Sequence, residues 1–165
     1  MLTIIKFKNG GFSMRLNEAI IEYSRINSKK IKVIQQLNGG YERWFQLDLC
    51  HFLITNFSNV FTVTEADVYG TLERLDILVY QYGSISMGIE IKCQSEAQLR
   101  PDRYPGFITS IAQDCEKIKN AKNVPVKQVI VGCYENSIQS IIETLYQQGY
   151  LFKQITDTPV IVYSI

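Results

Sequence analysis

The chain has 165 residues, of which 46% are hydrophobic and 20% are charged, and its formal net charge is +1. This composition excludes a disordered chain and is enough for one domain with a sizeable core, while the near-neutral charge neither requires nor excludes a nucleic-acid partner. No apolar run approaches the roughly 18 residues of a membrane span, and the short, charged N-terminal segment does not fit a secretion signal. We therefore expect a cytoplasmic protein without a membrane partner.

The predicted elements alternate between helices and strands along one continuous domain, residues 1–165. They are a helix in 13–40 that breaks near Asn27, a helix in 41–56, strands in 60–68, 74–80 and 85–94, a helix in 107–121, a strand in 128–134, a helix in 136–149 and a strand in 159–165. Ser13 is a candidate N-cap for the first helix, and Gly39 or Gly40 would end it. The order predicts an α/β fold in which helices pack on a mixed sheet, with an antiparallel meander followed by a parallel crossover.

The four cysteines, Cys50, Cys93, Cys115 and Cys133, have no close pairs along the chain, so no zinc or redox motif is present. Each lies on the apolar register of its segment. We expect reduced thiols in the core.

The hairpin in residues 73–94 carries charged residues inside two apolar strands. Alternation places Glu90, Lys92 and Gln94 on one face of the second strand, and Asp76 on the polar register of the first. An odd-length loop centred on Gly83 would place Asp76 directly opposite Glu90, whereas a bulge or a two-residue turn would shift the pairing by one residue.

Two carboxylates at that distance repel each other, and this repulsion weakens a half-buried sheet. A shared proton, a cation or full exposure to water would each compensate. Lys92 supplies one positive charge, and a divalent cation such as Mg²⁺ or Mn²⁺ would supply two more to an oxygen-rich site. A solvated outer face of an unrelated α/β protein is the alternative.

An aspartate on one strand followed by the Glu90-Ile91-Lys92 triplet on the next resembles the PD-(D/E)XK nuclease superfamily, which has the restriction-endonuclease-like fold. The family's proline is missing, since Leu75 precedes Asp76. The resemblance covers residues 41–134 and implies an αβββαβ core. Residues 1–40 would be a helical extension, and residues 135–165 add a C-terminal helix and strand.

The resemblance also implies the chemistry of the site. Asp76, Glu90 and Lys92 would be catalytic, and Mg²⁺ or Mn²⁺ would be held by Asp76, Glu90 and the backbone carbonyl of Ile91. Glu42 is the candidate for a further metal-binding acid, because Glu42 and Gln46 lie on the buried stripe of their helix. The alternative for Glu42 is favourable charge at a helix start.

The activity that the resemblance implies is hydrolysis of DNA to 5′-phosphate ends by a metal-activated water. Branched or single-stranded DNA and a homodimer are both compatible with a chain of this size. Arg74 and Gln94 would touch phosphates or bases, and Arg100 and Arg103 would clamp a phosphate or be ordinary loop arginines. The alternative function is a catalytically inactive member of the same fold that binds nucleic acid or inhibits a protein.

Asp114 and Lys117 lie three residues apart on the polar face of the helix that follows the hairpin. We expect a solvated ion pair there, although the family often keeps polar residues facing the site at these positions.

Overall fold

The computed structural model describes residues 16–36 and 41–165, and of residues 16 and 17 only the backbone is described. The helices are α1 (Leu16–Ile26), α2 (Ser28–Gln35), α3 (Glu42–Asn56), α4 (Tyr104–Lys119) and α5 (Ile138–Gln147). The strands are β1 (Val60–Ala66), β2 (Leu75–Gln81), β3 (Ser84–Cys93), β4 (Lys127–Gly132), β5 (Lys153–Gln154) and β6 (Val160–Ser164). Within the described ranges no helix combines the length and the apolar content needed to cross a membrane.

The element order is the predicted one, apart from an earlier start of α4 and the additional strand β5. The predicted break at Asn27 separates α1 from α2, while Ser13, Gly39 and Gly40 lie outside the described residues. Helix α4 begins three residues before its predicted start and accommodates Pro105 in its first turn, where no backbone N–H is required. Strand β5 was missed because two residues are too few to show an alternation.

The six strands form one mixed sheet in the order β1-β2-β3-β4-β6-β5. Strands β1, β2 and β3 are antiparallel neighbours, and β3 and β4 are parallel because α4 carries the chain back between them. Strand β6 is antiparallel to both of its neighbours. The predicted meander and parallel crossover are therefore confirmed, and the protein is a mixed α/β structure with helices on both sides of the sheet.

Each face of the sheet has its own apolar core. Helices α1, α2 and α3 cover one face, where alternate β3 residues such as Met87 and Ile89 are buried against them. Helices α4 and α5 cover the other face, where Val129 and Val131 of β4 are buried. The four cysteines are free and buried among these cores, as predicted. Because both faces of β3 are covered, its polar residues are not on an outer surface.

The β2–β3 hairpin has the predicted pairing register, but its turn differs from the predicted odd-length loop. Its turn has two residues, Tyr82 at φ 51° and Gly83 at φ 78°, and this left-handed pair suits the twist of a tight hairpin. The turn alone would shift the register by one residue from the prediction, but the pairing changes between Val79 and Tyr80, where β3 has one extra residue, Ser86. The bulge restores the predicted register.

Replacement of Gly132 by alanine is expected to lower the free energy of unfolding by about 1–3 kcal/mol. A Cβ atom at this position would lie 2.6 Å from the buried hydroxyl of Tyr41, and that hydroxyl accepts a hydrogen bond from Gln35. Urea denaturation measures the change. Gly106→Ala is the matched control, because a Cβ there meets nothing within 4 Å and the helix gains up to about 1 kcal/mol. Equal stability of the two variants would contradict the prediction.

Candidate functional site

Strand β3 extends beyond the first residue of β2, so its last residues have no β2 partner. Two carboxylates accept backbone N–H groups of β3 there instead. Alternate N–H groups of a strand point to opposite neighbours, and those of Gly88 and Gln94 bond to the β4 side. The N–H of Ile91 points the other way and donates to Oδ2 of Asp76 at 2.6 Å, while the N–H of Cys93 donates to Oε2 of Glu42 at 3.1 Å. Asp76 and Glu42 are therefore both fixed against the end of β3.

Glu90 is the most deeply buried charged residue of this region, with 1% of its surface exposed. Its Oε1 atom accepts a hydrogen bond from the hydroxyl of Tyr69 and lies 3.0 Å from Nζ of Lys117. Burial and the nearby charge of Asp76 raise the pKa of Glu90 to about 8, against the opposing effects of Tyr69 and Lys117. Glu90 consequently holds a proton at neutral pH unless a cation replaces it.

Asp76 lies beside Glu90, and we call these two residues the acid pair. The backbone carbonyl of Asp76 accepts a hydrogen bond from the side-chain amide of Gln46, which reaches the sheet from α3 as its helical register predicts. Burial raises the pKa of Asp76, while the N–H of Ile91 and the charge of Lys117 oppose that rise. The acid pair is thus held at high electrostatic cost in the absence of a cation.

Lys92 points to a different pair of acids. Its Nζ atom lies 3.2 Å from Oδ2 of Asp114 and 3.9 Å from Oε1 of Glu42. Burial alone would lower the pKa of Lys92, but Asp114 and Glu42 outweigh it and raise the pKa above its usual value. Lys92 is therefore firmly charged. The predicted residues Glu42, Asp76, Glu90 and Lys92 are brought together, with Lys92 beside Glu42 and Asp114.

The solvated ion pair predicted for Asp114 and Lys117 is wrong, because α4 packs over the polar register of β3. The Asp114 side chain is 13% exposed and the Lys117 side chain 20%. Their mutual distance is 3.9 Å, longer than the contact of either residue with β3. Both side chains belong to the site. They also line a cleft of about 690 Å³ along α4, which connects them to solvent.

The group formed by Glu42, Asp76, Glu90, Asp114, Lys92 and Lys117 is here called the acidic cluster. Four carboxylates face two ammonium groups, so the fully ionised cluster carries two surplus negative charges. Protonation of Glu90 removes one of them. The predicted solvated outer face is therefore wrong for this hairpin, while a shared proton and a cation both remain compatible with the geometry.

The four residues predicted to contact nucleic acid have different surroundings. Gln94 is fully buried, and its amide oxygen accepts hydrogen bonds from the N–H of Tyr134 and the hydroxyl of Ser137. A nucleic-acid contact by Gln94 is therefore a wrong prediction, because the segment between β4 and α5 covers this end of β3.

The three arginines remain accessible. The guanidinium of Arg74 donates to the backbone carbonyls of Thr71 and Glu73 in its own loop. Arg100 and Arg103 are about two-thirds exposed, and both lie near Asp102 in the segment that follows β3. Their role as phosphate contacts stays a prediction.

Two residues that contact Glu90 are not part of the motif that predicted the site. Tyr69 comes from the loop between β1 and β2, and Lys117 comes from α4, yet both touch the same oxygen of Glu90. The position of Lys117, one helical turn after Asp114, was the feature of the sequence that could have identified it. No signal in the sequence singled out Tyr69.

Over residues 16–36 and 41–165, no three His, Cys, Asp or Glu side chains converge closely enough to hold a metal ion by themselves. A cation at the acid pair would therefore need further oxygen ligands from backbone, water or substrate. Searches with protein-family models, among curated proteins and among solved structures find no match to this chain. The fold and the site are consequently supported by the contacts of this chain alone.

Proposed function

We propose that the protein is a Mg²⁺-dependent nuclease that hydrolyses phosphodiester bonds of DNA, built on a restriction-endonuclease-like core. The observation that carries the proposal is the excess of carboxylates over ammonium groups in the acidic cluster, centred on the buried carboxyl of Glu90 beside Asp76. A divalent cation supplies the charge that the cluster lacks. The order of α3, β1, β2, β3, α4 and β4 agrees with the αβββαβ core that the family resemblance implies.

The donor set suits a hard cation. Mg²⁺ is commonly bound in proteins by one or two carboxylates together with water and substrate phosphate, so two side chains are sufficient. Asp76 and Glu90 would hold it together with the carbonyl of Ile91, because the N–H and C=O groups of a strand residue point to the same side and the N–H of Ile91 faces Asp76. Glu42 accepts the N–H of the neighbouring Cys93 and does not converge closely with the acid pair, so its role as a further metal-binding acid stays a prediction.

When bound, the metal would polarise a phosphoryl oxygen and lower the pKa of a coordinated water. The residues of the chain hold the other charges in place. Lys92, kept protonated by Asp114 and Glu42, would donate hydrogen bonds to the attacking water and offset the negative charge that develops on the phosphate. We propose orientation of the water as its role, because the raised pKa of Lys92 opposes a role as the base. The products would carry 5′-phosphate ends.

DNA would approach along the end of β3. The segment that follows β3 carries the exposed Arg100 and Arg103, and Arg74 lies in the loop before β2. Contacts of this kind position the backbone without reading the sequence. A chain of this size would act on branched or single-stranded DNA, or form a homodimer whose two sites reach both strands.

A second candidate function is a non-catalytic module that binds nucleic acid or inhibits a protein. The observation in its favour is that Asp76 and Glu42 each accept a backbone N–H of β3, a role that stabilises the sheet end without any chemistry. In this case the cluster would hold a proton in place of a cation.

Cleavage and binding assays on one set of substrates separate the two functions. Labelled single-stranded, duplex and branched DNA would be incubated with the protein in Mg²⁺, in Mn²⁺ and in EDTA, with gel-shift measurements in EDTA alongside. We expect metal-dependent cleavage and products that a DNA ligase can rejoin. Binding in EDTA without cleavage in either metal would favour the non-catalytic module. Neither binding nor cleavage would contradict the nuclease and a DNA-binding module, and would leave protein inhibition as the remaining candidate.

A further inference from the structure

Lys117 is the cation in closest contact with the acid pair. Its Nζ atom lies 3.0 Å from Oε1 of Glu90 and 3.3 Å from the backbone carbonyl of Arg74, to which it donates a hydrogen bond. The ring of Tyr69 lies 5.5 Å from the same atom. The ammonium group of Lys117 is thus surrounded by Glu90, the carbonyl of Arg74 and the ring of Tyr69. The motif in β3, by contrast, assigns the site's lysine to Lys92.

The two lysines of the acidic cluster have different nearest partners, although Asp114 lies 3.2 Å from Lys92 and 3.9 Å from Lys117. Lys92 lies 3.2 Å from Asp114 and 3.9 Å from Glu42. Lys117 contacts Glu90 directly, and among the nearby charges it opposes the proton affinity of Asp76 most strongly. The positive charge that compensates the acid pair in the metal-free protein therefore comes from α4.

We infer that Lys117 sets the affinity of the acid pair for a divalent cation, an inference that rests on the proposed cation site. Its ammonium group engages one oxygen of Glu90 and places a positive charge beside the position that the cation would take. An entering cation has to bind against this charge, and Coulomb repulsion between like charges is stronger in a partly buried site than in water. Lys117 thereby makes the empty site stable and its occupancy weak until an anionic phosphate arrives.

Removal of this charge without loss of volume tests the inference. Mn²⁺ would be titrated by calorimetry into EDTA-treated, dialysed protein at fixed pH and ionic strength, for the wild type, Lys117→Met and Lys117→Arg. We expect Lys117→Met to bind Mn²⁺ about tenfold more tightly than the wild type, because one repelling charge is gone. Lys117→Arg keeps the charge and can hold a carboxylate with two hydrogen bonds, so we expect it to bind no more tightly than the wild type.

Lys119→Met is the matched control. Lys119 lies two residues away on the same helix, is paired with the exposed Glu116, and makes no contact with the acid pair. Its loss should leave Mn²⁺ affinity unchanged. If Lys117→Met does not fold without cation, Lys117→Gln replaces it, with the same expected direction and an amide that can still donate to Glu90.

The outcomes separate this inference from the proposed function. Wild-type protein that binds Mn²⁺, with Lys117→Met binding equally or more weakly, would overturn the role of Lys117 and leave the cation site in place. Tighter binding by Lys117→Arg would also overturn it, since the charge is retained. Absence of Mn²⁺ binding in both the wild type and Lys117→Met would overturn the cation site itself, and the role of Lys117 with it.

Discussion

Replacement of Asp76 by asparagine, or of Glu90 by glutamine, is expected to reduce metal-dependent DNA cleavage by about 10³-fold. Each change keeps the size of the side chain and removes one negative charge from the acid pair. The proposed cation then loses a charged ligand, and with it the charge stabilisation of the transition state. Rates measured under single-turnover conditions at saturating Mg²⁺ check the effect.

Two controls make the loss specific to the acid pair. Glu96→Gln removes an exposed carboxylate from the segment after β3 and should leave the cleavage rate unchanged. Asp76→Asn can still accept the N–H of Ile91 through its amide oxygen, so its fold should persist in circular dichroism. Cleavage by both acid-pair variants within tenfold of the wild-type rate would refute the proposed ligand role.

The stability of the metal-free protein is expected to fall as the pH rises from about 5 to about 8, by on the order of 2–4 kcal/mol from Glu90 alone. The pKa of Glu90 is raised from 4.5 to about 8 in the folded protein. Between these values the folded state holds a proton that the unfolded state has released, so the unfolding free energy decreases with pH. Below the lower value both states are protonated and the full contribution is present.

Glu90→Gln provides the measurement, because glutamine cannot titrate. Urea denaturation in EDTA at unit steps from pH 5 to pH 9 should show a flatter profile for Glu90→Gln, with the variant more stable than the wild type at pH 8. Glu96→Gln should follow the wild-type profile. Parallel profiles for the wild type and Glu90→Gln would show that Glu90 has an ordinary pKa, against its burial in the structure.

Local patterns in the sequence predict which side chains face the sheet. The helical stripe of α3 places Glu42 and Gln46 against β3 and β2, and both make hydrogen bonds there. Alternation in β3 puts Glu90 and Lys92 on one face, where both contact α4. These predictions succeed because the helical and strand periods are properties of the local backbone.

What covers a face is decided by packing between distant segments, and here the sequence misleads. The pairs Lys117–Glu90 and Asp114–Lys92 form because α4 returns over β3, so two residues expected in solvent become partners of the cluster. Gln94 is polar and lies on the same register, yet it is buried because the segment between β4 and α5 covers it and donates hydrogen bonds to its amide oxygen. Alternation alone cannot distinguish an open polar face from a covered one.

The Ser86 bulge allows the β2–β3 hairpin to vary in length while the acid pair keeps its register. The three pairs from Ile77–Ile89 to Val79–Met87 fix the register that leads to the acid pair, while the two-residue turn and the extra residue lie beyond Val79, at the tip of the hairpin. Residues could be gained or lost at the tip with the register below it kept, because a bulge or a longer loop absorbs the difference. The chain distance between Asp76 and Glu90 is therefore a poor guide to relatives. A search for them should hold the two acids and Lys117 fixed and leave the hairpin tip free in length, and the tip is also the place for an inserted affinity tag or fluorophore.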